Sequence, residues 1–257
     1  MNIRKKMIKG VFFDLFGTLL RYTDMQRAWD KWIQALYKGF KDSGLTLPQN
    51  LFALKCDGFL AKGEPVINNK NFTIYEKRIY SLGIELNLQL EINTIRSIVN
   101  NTINAWQKYV PLDPDAISIL GELREDKILA LITNFDHPPY VYSLLQKYNL
   151  SNFFSSIIIS GEVGVKKPDP SIFISVLKDT NLKPNEVCYV GDTIEDMEAA
   201  LGADIYPILI QRNPDTDKVL PSDYYIYKSQ NLQNDRRVNF DSVKIIKSLK
   251  ELINIIN

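Results

Sequence analysis

Three apolar runs in this chain each end on polar residues. Asp14 follows the run 10–13, Thr133 and Asn134 close the run 128–133, and Gly191 and Asp192 follow the run 187–190. If the runs are parallel strands, their carboxyl ends share one edge of a sheet. That edge is where open sheets build ligand sites, at the switch point of strand order. Two carboxylates, a hydroxyl and an amide delivered there by separate strands are hard to assign to packing. A buried carboxylate without a partner costs on the order of several kcal/mol, so Asp14 and Asp192 require a cation or strong hydrogen-bond donors.

The elements that must position these residues can be read from the same pattern. Apolar runs at 10–13, 128–133, 156–160, 187–190 and 205–210 are short and rich in Val, Ile and Phe, as doubly buried parallel strands are. Helical periodicity occupies 113–124, 139–148, 170–179 and 194–203 between them. The alternation predicts a doubly wound, mostly parallel α/β sheet with helices on both faces. Residues 21–110 break the alternation and read as helices only, at 25–42, 48–61, 72–82 and 90–109. Trp29, Trp32, Ile33, Leu36, Tyr37 and Phe40 recur at helical spacing and predict a packed core. The expected organisation is therefore an α/β core from 1–20 and 111–257 with an inserted all-helical cap from 21–110. The polar run 228–239 reads as a loop, and 242–256 as a closing helix.

Composition narrows the classes. Lys and Arg (31) nearly balance Asp and Glu (30), which lacks the electrostatic footprint of a nucleic-acid binder. Cys56 and Cys188 lie far apart, without metal spacing, in apolar segments, and read as reduced packing residues. The basic, then apolar, N-terminus carries Asp14 in its apolar stretch and no small-residue cleavage pattern, so it is not read as a secretory signal. No run approaches the roughly 20 apolar residues of a membrane span. The expectation is a cytoplasmic protein with no nucleic-acid or membrane partner.

Four motifs now stand in order: Asp14-Leu15-Phe16-Gly17-Thr18, Thr133-Asn134, Lys167-Pro168-Asp169-Pro170, and Gly191-Asp192-Thr193-Ile194-Glu195-Asp196. Together they resemble the haloacid dehalogenase-like (HAD) hydrolase superfamily, in the subgroup with a helical cap between the first and second motifs. The small-residue stretch 199–204 resembles that family's helix after the fourth motif; Asp204 stands at its usual glycine and tolerates left-handed geometry. The resemblance implies a Mg²⁺-dependent hydrolase, with a phosphatase acting on a small organic phosphate as the leading reading. Asp14 would be the nucleophile that forms a covalent aspartyl intermediate. Lys167 would supply a fixed charge, with Lys166 its solvated neighbour. Thr133 would donate its hydroxyl, and Asn134 an amide or backbone N–H, to a non-bridging oxygen. Asp14, Asp192 and the backbone carbonyl of Phe16 would hold Mg²⁺, and Asp196 would hold a metal-bound water.

One position departs from the family pattern. Phosphatases of the family carry a second aspartate two residues after the nucleophile, where this chain has Phe16. A missing general acid/base is worth about 10²–10⁴-fold in rate. His137, the single histidine, and Asp136 follow Asn134 and are candidate proton shuttles; a solvated loop is the other reading of His137. Phe16 also opens a haloacid dehalogenase reading, since halide leaves without a proton. A third reading is a catalytically silent binding protein on the same fold. The intact Gly191-Asp192…Asp196 arrangement, whose two carboxylates would be costly without a cation, favours metal-dependent chemistry over the dehalogenase, and the intact Asp14, Thr133, Lys167 and Asp192 argue against the silent reading.

Overall fold

The computed structural model describes residues 8–212 and 242–256. Those residues gather into two compact units, one helical (22–111) and one α/β (8–21, 112–212 and 242–256).

The helical unit contains α1 (Met25–Asp42), α2 (Gln49–Lys55), α3 (Ile74–Glu85) and α4 (Ile92–Gln107). Helix α1 starts where the Asp24 carboxylate accepts the Arg27 N–H at 3.0 Å, satisfying a donor that the first turn leaves open. Met25, Ala28, Trp32, Ile33, Leu36 and Phe40 form its buried face, which packs chiefly on α4. Trp32 donates its indole N–H to the Tyr75 hydroxyl at 2.7 Å, and Tyr75 in turn meets Thr102 at 2.9 Å. The aromatic stripe of α1 is therefore core, as its spacing predicts. The helix expected over 48–61 is shorter: α2 ends at Lys55, and Gly58 takes a left-handed φ of 70°. The buried Arg78 guanidinium donates to the carbonyls of Phe59 and Lys62, holding the irregular turns that follow.

In the α/β unit, the strands β1 (Gly10–Phe13), β2 (Ile128–Thr133), β3 (Ser156–Ile159), β4 (Val187–Gly191), β5 (Tyr206–Ile210) and β6 (Lys244–Ile246) form one parallel sheet. The strand order is β3-β2-β1-β4-β5-β6, with every adjacent pair parallel. The order reverses at β1 and β4, because the chain runs outward to β2 and β3 before returning to the other side of β1. Open sheets place their ligand sites at such a reversal, here the carboxyl ends of β1 and β4. Helices α5 (Ala116–Arg124), α6 (Pro138–Lys147), α7 (Ser160–Val163), α8 (Phe173–Thr180), α9 (Ile194–Gly202) and α10 (Glu251–Ile256) complete the unit. Phe12, Ile132, Phe173, Val176 and Tyr189 pack with Ala199 and Ala200 of α9 in one buried cluster. Val243 and Ile245 pack with Ile194, Met197 and Leu209 in another.

The sequence pattern missed β6. Residues 242–256, expected as one closing helix, divide into β6 and α10, since Ile245 and Ile246 supply a short edge to β5. Three residues are too few for strand alternation to be told from helical spacing. The expected loop at 228–239 lies outside the described residues. Asp204 takes the left-handed φ of 58°, and both cysteines are buried and outside any disulfide. Among the described residues, no helix is long and apolar enough to cross a membrane.

Candidate active site

Asp14 follows the last residue of β1, and its N–H donates to Val190 O at 2.9 Å, tying the exit of β1 to β4. Its side chain is buried, as is that of Lys167, which arrives from the loop after α7. The Lys167 Nζ lies 2.7 Å from Asp14 Oδ1 and 2.7 Å from Asp196 Oδ1, and donates to the Tyr189 hydroxyl at 2.8 Å. An ammonium has three N–H donors, so these short contacts engage all of them. Burial disfavours this ammonium, yet Asp14 and Asp196 outweigh burial and hold its pKa above the ordinary lysine range. Burial pushes the Asp14 carboxyl up to about 6, with Lys167 opposing the shift and Asp196 adding to it. The ammonium is the firmer charge of the pair.

Tyr189, in the middle of β4, escaped the sequence reading. It accepts from Lys167 and donates to Ile132 O at 2.8 Å, and its ring meets Phe173 edge-on at 4.9 Å. Burial, then the charges of Asp196, Asp14 and Asp192, hold the phenol well above its usual pKa. A tyrosine in an otherwise apolar buried strand must find a partner for its hydroxyl; that was the available signal.

Two expected roles change with the geometry. The Asn134 side chain does not face a ligand oxygen with its amide free. Its Nδ2 donates to Lys167 O and its Oδ1 accepts the Lys167 N–H, both at 3.0 Å. The backbone N–H remains as the donor that Asn134 can offer. Asp196 serves the protein with both oxygens: Oδ1 meets Lys167, while Oδ2 accepts from the Asp192 N–H at 3.1 Å and the Thr193 hydroxyl at 2.7 Å. With Thr193 it closes a capping box at the start of α9, which fixes the turn carrying Asp192. Protein donors thus occupy the oxygens expected to hold a metal-bound water.

Thr133 is 1% exposed, and its hydroxyl has no hydrogen-bond partner among the described residues. The Thr18 hydroxyl is likewise buried without one. Phe16 stacks on Phe135 with ring centroids 4.7 Å apart, and Phe135 stacks in turn on Tyr140 at 6.1 Å. An apolar wall therefore stands at Phe16. His137 is buried at the entry to α6, which overturns the solvated-loop reading.

Gly17 links the two acidic strand ends. At its φ of 88°, a Cβ would lie 2.0 Å from Asp192 Oδ2, so only glycine lets that carboxylate reach the turn after β1. Among the described residues, no three His, Cys, Asp or Glu side chains converge on a metal position. Mg²⁺ asks for less: one or two carboxylates, with waters completing its six oxygens. Asp14, Asp192 and the carbonyl of Phe16 make an all-oxygen donor set suited to such a hard cation. Asp14, Asp192 and Asp196 set three carboxylates against the single ammonium of Lys167, an acidic excess compatible with a cation.

Residues 8–204 match the haloacid dehalogenase-like hydrolase family. The chain belongs to that family. The four ordered motifs of this HAD-like hydrolase fall on its α/β unit, at or just beyond the carboxyl ends of strands β1, β2 and β4 and in the loop after α7. The phosphoglycolate phosphatase of Yersinia pestis is 29% identical over 207 residues, covering 78% of this chain and 80% of that one. A HAD phosphatase from Thermococcus onnurineus shares the fold at a TM-score of 0.64 and 21% identity, over 97% of this chain and 98% of that one. A 2-haloacid dehalogenase from Pseudomonas syringae shares it at a TM-score of 0.61 and 17% identity, over 97% and 98%.

Proposed function

We propose that this HAD-like hydrolase is a Mg²⁺-dependent phosphatase that acts on a small organic phosphate ester through an aspartyl intermediate on Asp14. The observation that carries the reading is the buried contact of 2.7 Å between Lys167 and Asp14. It orients the carboxylate through Oδ1, and Oδ2 is assigned the attack. The similarity to phosphoglycolate phosphatase over most of both chains supports the substrate class.

In the first step Oδ2 of Asp14 bonds to phosphorus as the ester P–O bond breaks. The alkoxide leaves with the bonding pair and takes up a proton from water, since Phe16 offers none. In the second step water attacks the acyl phosphate, which releases inorganic phosphate and restores the carboxylate. Such transfers depend mainly on positioning and charge neutralisation. The partnerless Thr133 hydroxyl donates to a non-bridging oxygen, beside the backbone N–H of Asn134. Lys167 contributes as a fixed charge, because its three N–H bonds are already engaged. A bound Mg²⁺, held by Asp14, Asp192 and the Phe16 carbonyl, would neutralise the transferring phosphoryl group. The helical insert, 21–110, is assigned the part of a cap that selects substrate and excludes water.

Phe16 supports a second reading, a carbon–halogen hydrolase, since its aromatic wall suits a leaving group that needs no proton. Chelation separates the two. EDTA should abolish hydrolysis of p-nitrophenyl phosphate and of a panel including 2-phosphoglycolate, and Mg²⁺ should restore it. Chloride release from chloroacetate that persists in EDTA, with no phosphate release, would replace the first reading by the second.

A further inference from the structure

Arg212, two residues past the end of β5, belongs to none of the four motifs. Its Nη1 donates to Gly17 O at 2.6 Å and its Nη2 to Thr18 O. Its Nε and Nη2 grip Asp113 Oδ2 at 3.1 and 2.8 Å. One guanidinium thus joins the end of β5, the turn that follows the nucleophile, and Asp113, the second residue after the chain re-enters the α/β unit. Asp113 is buried, donates its N–H to Leu19 O at 2.9 Å, and accepts the Asp115 N–H on its other oxygen at 2.9 Å. It is therefore a fixed anchor for Arg212.

The turn held this way is the one that shapes the site. Gly17 N–H donates to Leu20 O at 2.7 Å, and Leu20 N–H to Leu15 O at 2.8 Å. In a planar trans peptide the C=O points opposite to the N–H, so the Gly17 bond sets the direction of the Phe16 carbonyl. The next two carbonyls, of Gly17 and Thr18, are both held by Arg212. Without the guanidinium, two buried acceptors and the Asp113 carboxylate would lose their shared donor, and the turn would be free to rotate its peptide planes.

We propose that Arg212 is a positioning residue of the reaction: anchored on Asp113, it locks the 15–20 turn in the form that presents the Phe16 carbonyl and keeps Gly17 against Asp192. This rests on the hydrolase reading above. Lysine keeps the charge but is a point donor, unable to span three acceptors as the planar fork does. A misplacement of about 1 Å near reacting groups costs about 10²-fold in rate.

The test compares Arg212→Lys and Asp113→Asn with wild type, after circular dichroism confirms folding. The readouts are p-nitrophenyl phosphate kinetics, the Mg²⁺ dependence of the thermal midpoint, and amide hydrogen exchange. The expected result in both variants is a 10- to 100-fold lower kcat with little change in KM and a several-fold weaker Mg²⁺ response. Exchange at the Gly17 and Leu20 amides should be at least tenfold faster, with β4 amides unchanged. The double variant should be no worse than either single one, as for one shared clamp. Lower thermal stability with wild-type kcat and Mg²⁺ response would overturn the proposal and leave Arg212 a brace. If neither variant folds, the same readouts on Arg212→Gln decide in the same way. A wild type that neither hydrolyses phosphate esters nor responds to Mg²⁺ overturns the hydrolase reading itself, and this proposal with it.

Discussion

Asn134 and Lys167 hold each other through two hydrogen bonds of 3.0 Å, the side-chain amide of one paired to the backbone of the other. The lysine charge at the nucleophile is therefore placed by a residue 33 positions earlier, at the end of β2. Asn134→Ala should lower kcat about 10- to 100-fold by releasing the Lys167 backbone. Asn134→Asp should fare no better, because a carboxylate oxygen would face Lys167 O where Nδ2 now donates. Steady-state kinetics on both variants, with circular dichroism as the folding control, checks this.

Tyr189→Phe removes the Tyr189 hydroxyl as an acceptor of the Lys167 ammonium and as a donor to Ile132 O. Lys167 still donates to Ile132 O at 3.3 Å, so neither group is orphaned and the loss is that of ordinary hydrogen bonds, about 0.5–1.5 kcal/mol. The expected outcome is a lower unfolding free energy in urea by about that amount, with kcat reduced and KM little changed. Wild-type stability and kcat in this variant would show that the hydroxyl does not support Lys167.

Asp14→Asn should abolish turnover while keeping the fold. Its pH signature follows from the raised carboxyl. Between the ordinary 3.8 and about 6, the folded state holds a proton that the unfolded chain has lost. The contribution of Asp14 to stability therefore falls as pH climbs through that window, and the loss is complete above it. The difference between wild-type and Asp14→Asn stability, measured without metal from pH 4 to 7, should show this slope. In the wild type, kcat/KM should fall on the acid side as Asp14 takes up its proton.

Gly17→Ala places a Cβ 2.0 Å from Asp192 Oδ2 at a residue with φ of 88°. The left-handed backbone alone costs a non-glycine residue about 1 kcal/mol or more, and Asp192 must move. We expect a lower thermal midpoint and an Mg²⁺ response, followed by calorimetry, at least tenfold weaker than wild type.

Phe16 leaves the departing oxygen without an acid at that position. Rates on a series of aryl and alkyl phosphates should fall steeply as the leaving-group pKa rises. Phe16→Asp should flatten the series by raising the rate on alkyl esters, within the roughly 10²–10⁴-fold that a general acid supplies. An equally steep series in the variant would mean that the proton comes from another group.

Much of the α/β unit was readable because strands buried on both faces advertise themselves as short apolar runs. Asp14 and Asp192 stood out for the same reason, since charge directly after such a run is conspicuous. β6 was lost because a three-residue edge strand carries too little periodicity. Tyr189 was lost because its strand looks uniformly apolar, and Arg212 because it lies in no motif. Their partners, Lys167 and Gly17, are remote in sequence, so no local pattern marks either contact.

The sequence by itself determined the family, the parallel sheet and which acidic residues stand at its edge, because these follow from local periodicity and ordered motifs. Only the tertiary structure decided what each polar atom does. Asn134 commits its side-chain amide to the Lys167 backbone and keeps its backbone N–H as the donor it can offer, the Asp196 oxygens go to Lys167 and the α9 cap, and Lys167 is a charge with every N–H engaged. The physical reason is that a side chain has few donors and acceptors, and their assignment depends on distances across the fold that residue spacing along the chain does not encode.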